Sequence, residues 1–127
     1  MKYLFSIILS IFFVGMGQAQ NISSYFKDIA KKDLTNITHK FSEDMEVCVN
    51  DSQEFMDKAE AISAVQNFLE EVGPIAGSEL HQGSSKNNKT QYRVGQLKTS
   101  KGNFRVFIYL EGSKEDYEIV GLLFNPE

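Results

Sequence analysis

The chain has 127 residues, among them 13 lysines and arginines and 17 aspartates and glutamates, so its formal net charge is −4. This length fits one domain, and the scattered basic residues exclude nucleic-acid binding, because phosphate recognition needs a clustered positive field. Cys48 is the only cysteine, so no disulfide within the chain holds the fold. We expect its thiol to be buried as a small apolar group.

The N-terminal segment is predicted to direct export. Lys2 precedes an apolar run from Tyr3 to Val14, and small residues follow as far as Ala19. This order is typical of a signal peptide, since the run is shorter than the ~20 apolar residues of a membrane span. We therefore predict a signal peptide over 1–19 and a single secreted or periplasmic domain over 20–127. This domain has 108 residues, a formal charge of −5 and no membrane span after cleavage.

Two short helices and a strand are predicted next. Apolar residues recur at helical spacing from Ile22 to Ala30, which predicts a helix over 22–32. The same spacing from Leu34 to Phe41 predicts a second, shorter helix. From Met45 to Val49 the period changes to two, which indicates a half-buried, edge-type strand that ends at the turn-forming Asn50-Asp51-Ser52.

The longest helix has signals at both ends. Asp57 is followed three residues later by Glu60, which is a capping-box pattern with aspartate as the cap. An apolar stripe at helical spacing follows, and Gly73 and Pro74 end it. These features together predict a helix over 58–72.

The C-terminal part is predicted to form an antiparallel sheet. Residues 78–82 favour a strand, and the polar residues 83–90 a loop. Apolar and polar residues then alternate in three runs separated by turn-forming residues. These runs predict strands over 91–98, 103–111 and 117–125.

Turn chemistry predicts the registers of these strands. A three-residue loop with Gly102 in the left-handed position pairs Thr99 with Asn103, and a five-residue loop pairs Glu111 with Tyr117. These registers predict that one sheet face packs against the helices through Tyr92, Val94, Val106, Ile108, Leu110, Val120, Leu122 and Phe124.

The opposite face is also predicted to be apolar, so we expect a homodimer through it. The same registers place Gly95, Phe107 and Gly121 in one row on this face. Arg93 and Tyr117 are also placed there. The candidate dimer-face residues are Leu97, Arg105, Phe107, Tyr109, Ile119 and Leu123.

The order helix, short helix, strand, long helix and bent antiparallel meander resembles the nuclear transport factor 2-like superfamily, also called cystatin-like. More narrowly, the chain is similar to a family of small secreted Bacteroidota proteins that share a domain of unknown function. The matching residues are Phe26 to Ala30, Phe41, the helix from Lys58-Ala59-Glu60-Ala61 through Asn67-Phe68, His81 with Gly83, Tyr92 to Leu97, and Gly102 to Val106. The resemblance implies an α+β cone, in which a curved antiparallel sheet wraps a long helix around a cavity open at one end.

Members of this superfamily include isomerases, cyclases and non-catalytic binding or dimerising modules, so fold alone does not choose the function. The candidate residues for such a cavity are Tyr25, His81, Tyr92 and Phe124. An isomerase needs a carboxylate base and an acidic hydrogen-bond donor in one apolar cavity. The carboxylates here cluster in turns and on helix surfaces, so no catalytic residue is assigned.

The leading hypothesis is therefore a secreted, non-enzymatic binding module that forms a homodimer, with a small apolar ligand or a protein partner still unidentified. The alternative is an isomerase-like or cyclase-like enzyme that uses the cone cavity. No metal or other cofactor is expected, because neither His39 nor His81 has ligand-type residues at metal-binding spacing.

Overall fold

The computed structural model describes residue 22 and residues 24–84, 89–113 and 116–127. The predicted signal peptide and the middle of the predicted loop over 83–90 lie outside these residues. Helix α1 covers residue 22 and residues 24–30, α2 is Thr35–Thr38 and α3 is Lys58–Val72. The strands are β1 (Phe41–Val49), β2 (Ser52–Asp57), β3 (Pro74–Ser84), β4 (Thr90–Thr99), β5 (Gly102–Gly112) and β6 (Tyr117–Pro126).

The six strands form one sheet in the order β2-β1-β6-β5-β4-β3. All neighbouring strands are antiparallel except β1 and β6, which are parallel. Buried residues of all three helices join one hydrophobic core with Val106, Ile108 and Leu122. We call this helix-covered side of the sheet the inner face and the opposite side the outer face. The arrangement confirms the predicted α+β class.

Helix α3 begins and ends as predicted. The Asp57 side chain accepts a hydrogen bond from the Glu60 backbone N–H at 2.8 Å. Gly73 has φ +62°, and its N–H donates to the Leu69 carbonyl at 3.1 Å, which ends the helix. The predicted stripe is the buried side of α3, formed by Ala61, Val65, Phe68, Leu69 and Val72.

Helix α1 ends at residue 30, two residues before the predicted end, because Lys32 adopts φ +61° and leaves the helical region. The predicted short helix is α2, which ends at Thr38. Phe41, predicted to belong to that helix, is the first residue of β1.

The prediction that Met45 to Val49 forms an edge strand is wrong. This segment belongs to β1, which lies between β2 and β6. Strand β2 was not predicted, because five of its six residues are exposed and it therefore lacks a period-two apolar pattern. The hairpin turn between β1 and β2 uses Asn50 and Asp51, both with positive φ.

The predicted register between β4 and β5 is wrong by one residue. Thr99 pairs with Gly102 rather than with Asn103, so the hairpin loop contains only Ser100 and Lys101. The Thr99 hydroxyl donates to the Gly102 carbonyl at 2.6 Å and accepts from the Lys101 N–H at 3.1 Å. These two hydrogen bonds stabilise the tighter turn.

The one-residue shift reverses the two sides of β4, since side chains alternate along a strand. Leu97, predicted on the dimer face, is 1 % exposed and belongs to the core. Gly95 lies opposite Val106 on the inner face, whereas Phe107 lies opposite Val94 on the outer face. The predicted row of Gly95, Phe107 and Gly121 is therefore wrong.

The predicted register between β5 and β6 is also wrong, but the sides of the sheet differ from the prediction only in the first residues of β6. Gly112, not Glu111, pairs with Tyr117, and Val120 is an additional residue between the pairs formed by Ile119 and Gly121. This bulge places Ile119 in the core with 0 % exposure, so its predicted place on the dimer face is wrong. Beyond the bulge the predicted sides hold, and Leu122 and Phe124 lie in the core.

Candidate functional site

The outer face carries two rows of side chains across the sheet. One row consists of His81, Val94, Phe107, Leu123, Cys48 and Gln53. The next row consists of Gly83, Tyr92, Tyr109, Gly121, Glu46 and Phe55. We call Tyr92, Phe107, Tyr109 and Leu123 the aromatic patch. These four residues are only partly buried and do not belong to the core cluster of buried residues.

Glycines next to the patch let two of its rings approach the neighbouring strands. A Cβ atom on Gly121 would lie 3.1 Å from Cδ2 of Tyr109, and a Cβ on Gly83 would collide with the ring of Tyr92. Each tyrosine ring therefore lies over a glycine of the adjacent strand, a recognised way of covering glycines in sheets. Because the two tyrosine rings lie across the strands, they form part of the surface of the outer face.

The rings of the patch are in mutual contact. The Phe107 and Tyr109 centroids are 6.4 Å apart with their planes 10° from parallel, and the Tyr92 and Tyr109 centroids are 6.5 Å apart. His81 meets the edge of the Tyr92 ring at 6.2 Å. These distances lie within the range of favourable aromatic pairs. The patch is thus a continuous surface of rings in mutual contact.

Cys48 lies in the same row as Leu123 and is 5 % exposed, which confirms the predicted burial. Its sulfur lies 3.8 Å from the Asn125 side-chain oxygen. Burial raises the pKa of this thiol, and the nearby Asp51 and Glu46 carboxylates raise it further. Since the thiolate is the reactive form, this cysteine is suited to packing rather than to nucleophilic chemistry.

One end of the outer face is basic, and we call Lys98, Lys101 and Arg105 the basic end. Lys98 and Lys101 are exposed. Arg105 Nη2 lies 2.7 Å from Oε2 of Glu127, and Gln96 donates to Oε1 of the same carboxylate at 2.6 Å. These hydrogen bonds, from Gln96 first and Arg105 second, lower the pKa of Glu127. Arg105 is two residues from Phe107 on β5 and so lies on the outer face as predicted.

The other end of the outer face contains a groove of about 910 Å³, which we call the acidic groove. Phe41 pairs with Ile119 and Glu46 with Gly121, so β1 has three more residues than β6 between these pairs. The resulting irregularity lies at the groove. The groove is lined by Ser42, Asp44, Phe55, Lys89, Glu111, Gly112, Ser113, Asp116, Glu118 and Val120.

A tyrosine pair connects α1 to β6. The Tyr25 and Tyr117 hydroxyls are 2.6 Å apart, and Lys40 Nζ lies 4.6 Å from the Tyr117 ring centroid. Burial and the hydrogen bond to Tyr117 raise the pKa of Tyr25. On α1, the Asp28 oxygen Oδ2 is buried and has no hydrogen-bond partner among the described residues. The predicted place of Tyr117 on the open dimer face therefore needs correction, because its hydroxyl binds Tyr25.

Arg93, also predicted on the dimer face, lies on the inner side and is 9 % exposed. Its Nη1 lies 3.4 Å from Oε1 of Glu79 and also donates to Oε1 of Gln82. Its buried charge therefore has partners on the neighbouring strand β3. This ion pair was not predicted, because the one-residue shift of β4 decides on which side Arg93 lies.

The structure does not bring the four candidate cavity residues together. Tyr25 belongs to the tyrosine pair, whereas Tyr92 and His81 contact each other on the outer face. Phe124 is 0 % exposed, and its ring centroid lies 4.8 Å from that of Phe68. The interior around Phe124 is therefore filled by side chains.

Comparison with known proteins identifies the family. The model of the DUF4783 family, a domain of unknown function, matches residues 19–125. The chain belongs to the DUF4783 family. The family predicted from the sequence, one of small Bacteroidota proteins with a domain of unknown function, is thereby confirmed. No curated protein matches this DUF4783 chain.

Solved structures agree with this DUF4783 assignment. A DUF4783 protein from Bacteroides ovatus superposes with a TM-score of 0.73 at 19 % identity, covering 82 % of this chain and 93 % of that chain. A cystatin-like domain of unknown function from Nostoc punctiforme gives 0.65 at 13 % identity, covering 87 % and 78 %. A protein of the Rd1NTF2 series gives 0.63 at 10 % identity, covering 84 % and 96 %. These likenesses establish the nuclear transport factor 2-like, or cystatin-like, fold.

Within the described ranges, histidine, cysteine and carboxylate side chains form no group of three or more that could hold a metal ion. None of the helices in the described part of the chain has both the length and the apolar character that a membrane span requires.

Proposed function

We propose that the chain is a secreted, non-enzymatic binding module that associates with a second copy of itself through the outer face of its sheet. The observation that carries this proposal is the aromatic patch, which stays partly exposed although the core has its own aromatic residues. Contiguous apolar surface of this kind marks interaction sites in soluble proteins. A second copy would remove these rings from water.

The size of the outer face supports a stable dimer. Six strands about 4.8 Å apart, each about nine residues long at about 3.4 Å per residue, present roughly 900 Å². A standard interface uses about 800 Å² from each partner. The aromatic patch occupies the central strands β4, β5 and β6, where contacts that determine affinity are usually concentrated.

Export belongs to the same proposal. It is supported by Lys2, the apolar run that follows and the small residues before Ala19. Because Cys48 is buried, its thiol is protected from oxidation outside the cytoplasm, which is compatible with export. We therefore place the module in the periplasm or outside the cell, as residues 20–127.

The test is the mass of residues 20–127 in solution by light scattering at about 100 µM, a concentration at which standard-size interfaces are occupied. We expect twice the chain mass. Phe107→Asp and Leu123→Asp place a charge in the patch and should each yield a monomer with unchanged circular dichroism. Ser63→Asp, on the exposed side of α3, adds the same charge elsewhere and should stay dimeric.

A monomeric wild-type chain at this concentration would overturn the proposal. So would a dimer that both patch variants leave intact, since the association would then use another surface. The circular dichroism spectra separate loss of association from loss of folding.

A second candidate function is isomerase-like or cyclase-like catalysis, and the tyrosine pair with Asp28 favours it. Hydrogen-bonded hydroxyls can stabilise a developing oxyanion, and a carboxylate can move a proton. The buried Asp28 oxygen without a partner is the group that a bound molecule would satisfy.

This second candidate is tested with a small phenol, 2-naphthol, whose fluorescence reports hydrogen bonding and ionisation. Binding that is lost in Tyr25→Phe and kept in Tyr92→Phe would support a site at the tyrosine pair. Absence of binding, or equal binding by both variants, would count against it.

A further inference from the structure

We infer that the acidic groove receives the basic end of a second copy. The two outer faces then pack against each other with each strand antiparallel to the same strand of the other copy. This inference rests on the proposed dimer and specifies its geometry. It assigns a role to the groove, which the aromatic patch alone does not explain.

Charge is separated along the strands of the outer face. Asp44, Glu111, Asp116 and Glu118 line the groove at one end, and among the described residues of that lining Lys89 is the one basic side chain. The basic end lies beyond the aromatic patch, and Arg105 and Glu111 are six residues apart on β5, which is about 20 Å. Glu127 offsets the charge of Arg105, and the exposed Lys98 and Lys101 keep this end basic, so the patch lies between two regions of opposite charge.

Two-fold symmetry limits how two such faces can meet. A contact between residue i of one copy and residue j of the other occurs twice in a symmetric dimer. If the two-fold axis of the dimer runs along the strands, the acidic groove of one copy faces the acidic groove of the other, and the like charges repel. If the axis lies across the strands, each groove faces a basic end, and the two aromatic patches meet in the middle.

The groove suits the side chains that this second arrangement brings to it. Its lining includes Val120 and the ring of Phe55, which is 78 % exposed. A lysine can lay its apolar stem on such a surface and its ammonium group on a carboxylate or a ring face. Both lysines of the basic end are exposed, since Lys98 lies near the end of β4 and Lys101 lies in the β4–β5 hairpin loop.

The test is charge reversal, read as the dimer dissociation constant from analytical ultracentrifugation. Lys98→Glu and Glu111→Lys should each raise this constant about tenfold, in line with a disrupted charge pair of an interface. The double variant should return to within about threefold of wild type, because each reversed charge meets a reversed partner. The single effects should shrink at high salt.

Lys27→Glu is the matched control, since Lys27 is an exposed lysine on α1 and the charge change is the same. It should leave the dissociation constant unchanged. The circular dichroism of every variant should match that of the wild type.

The outcomes separate the inference from the proposed function. If Phe107→Asp abolishes the dimer while both charge reversals leave its stability unchanged, the dimer stands and the antiparallel arrangement is overturned. The antiparallel arrangement is also overturned if each charge reversal weakens the dimer but the double variant does not recover the wild-type dissociation constant. A wild-type chain that is monomeric overturns both.

Discussion

The two faces of the sheet carry aromatic residues in different settings. On the inner face, Phe68 is 1 % exposed and contacts Phe104 and Phe124 at centroid distances of 5.1 and 4.8 Å. On the outer face, Phe107 and Tyr109 contact each other at 6.4 Å and remain partly exposed. The difference teaches that one residue type is buried where a helix covers it and stays partly exposed where nothing of the described chain does.

Glycine serves both faces, with different results. On the inner face a Cβ on Gly77 would collide with the Phe26 carbonyl, so this glycine lets α1 approach β3. On the outer face Gly121 lets the Tyr109 ring lie across β6. The first contact brings a helix onto the sheet, whereas the second lets a ring lie flat across the strand next to it.

The largest expected effect is on stability, where loss of a ring from the inner face should cost more than loss of a ring from the outer face. Phe68→Ala removes a buried ring and should lower the free energy of unfolding by about 3–5 kcal/mol. Phe107→Ala, made in the Leu123→Asp background that we expect to be monomeric, should cost about 1–2 kcal/mol, because the ring is only partly buried. Urea denaturation measures both, and equal losses would contradict the distinction between the faces.

The close approach of α1 should be the next most sensitive feature. Gly77→Ala places a methyl group against the Phe26 carbonyl and should cost about 1–3 kcal/mol through a displaced helix. Ala76→Ser, at the adjacent exposed position, should stay within about 0.5 kcal/mol. The thermal midpoints of the two variants decide, and an unchanged midpoint for Gly77→Ala would show that α1 does not depend on this contact.

The cap of α3 tests whether stability and association are separable. Asp57→Ala should lower the free energy of unfolding by about 1 kcal/mol, because the Glu60 N–H loses its acceptor. Glu71→Ala, at the opposite end of the helix, should not destabilise it. The dimer dissociation constant should be unchanged in both variants, and a weaker dimer in Asp57→Ala would connect the two faces.

The smallest effect is a pH dependence on the outer face. The folded-state pKa of Glu127 is lowered by Gln96 and Arg105, so this group stabilises the fold above its unfolded pKa of about 4.3. That contribution is lost as the pH falls through the lower, folded pKa. The unfolding midpoint of Glu127→Gln should therefore lie slightly below wild type at neutral pH and approach it below about pH 4. A difference independent of pH would disprove this account.

Helix α3 and the spans of β4, β5 and β6 were predictable because their signals are local. A cap, a stripe and a left-handed glycine lie within a few residues of the helix they define. Strand β2 was not predictable, because its exposed residues carry no period. Of the candidate dimer-face residues, Phe107, Tyr109, Leu123 and Arg105 lie on the outer face, whereas Leu97 and Ile119 lie in the core.

The wrong predictions for Leu97 and Ile119 both result from a difference of one residue in strand pairing, which the apolar pattern of the sequence does not reveal. The Thr99 hydroxyl selects a hairpin shorter by one residue, and the bulge at Val120 changes the side on which Ile119 lies. Likewise, Tyr25 and Tyr117 are 92 positions apart, so no local pattern announces their hydrogen bond.

Composition and periodicity alone determine that this chain forms an α+β fold with a capped helix and an apolar sheet, because apolar residues must leave water at their own spacing. Which side of each strand meets the helices, and where the aromatic patch and the acidic groove arise, depends on strand register and bulges. These are settled by contacts between distant segments, and a shift of one residue exchanges the two faces at almost no local cost.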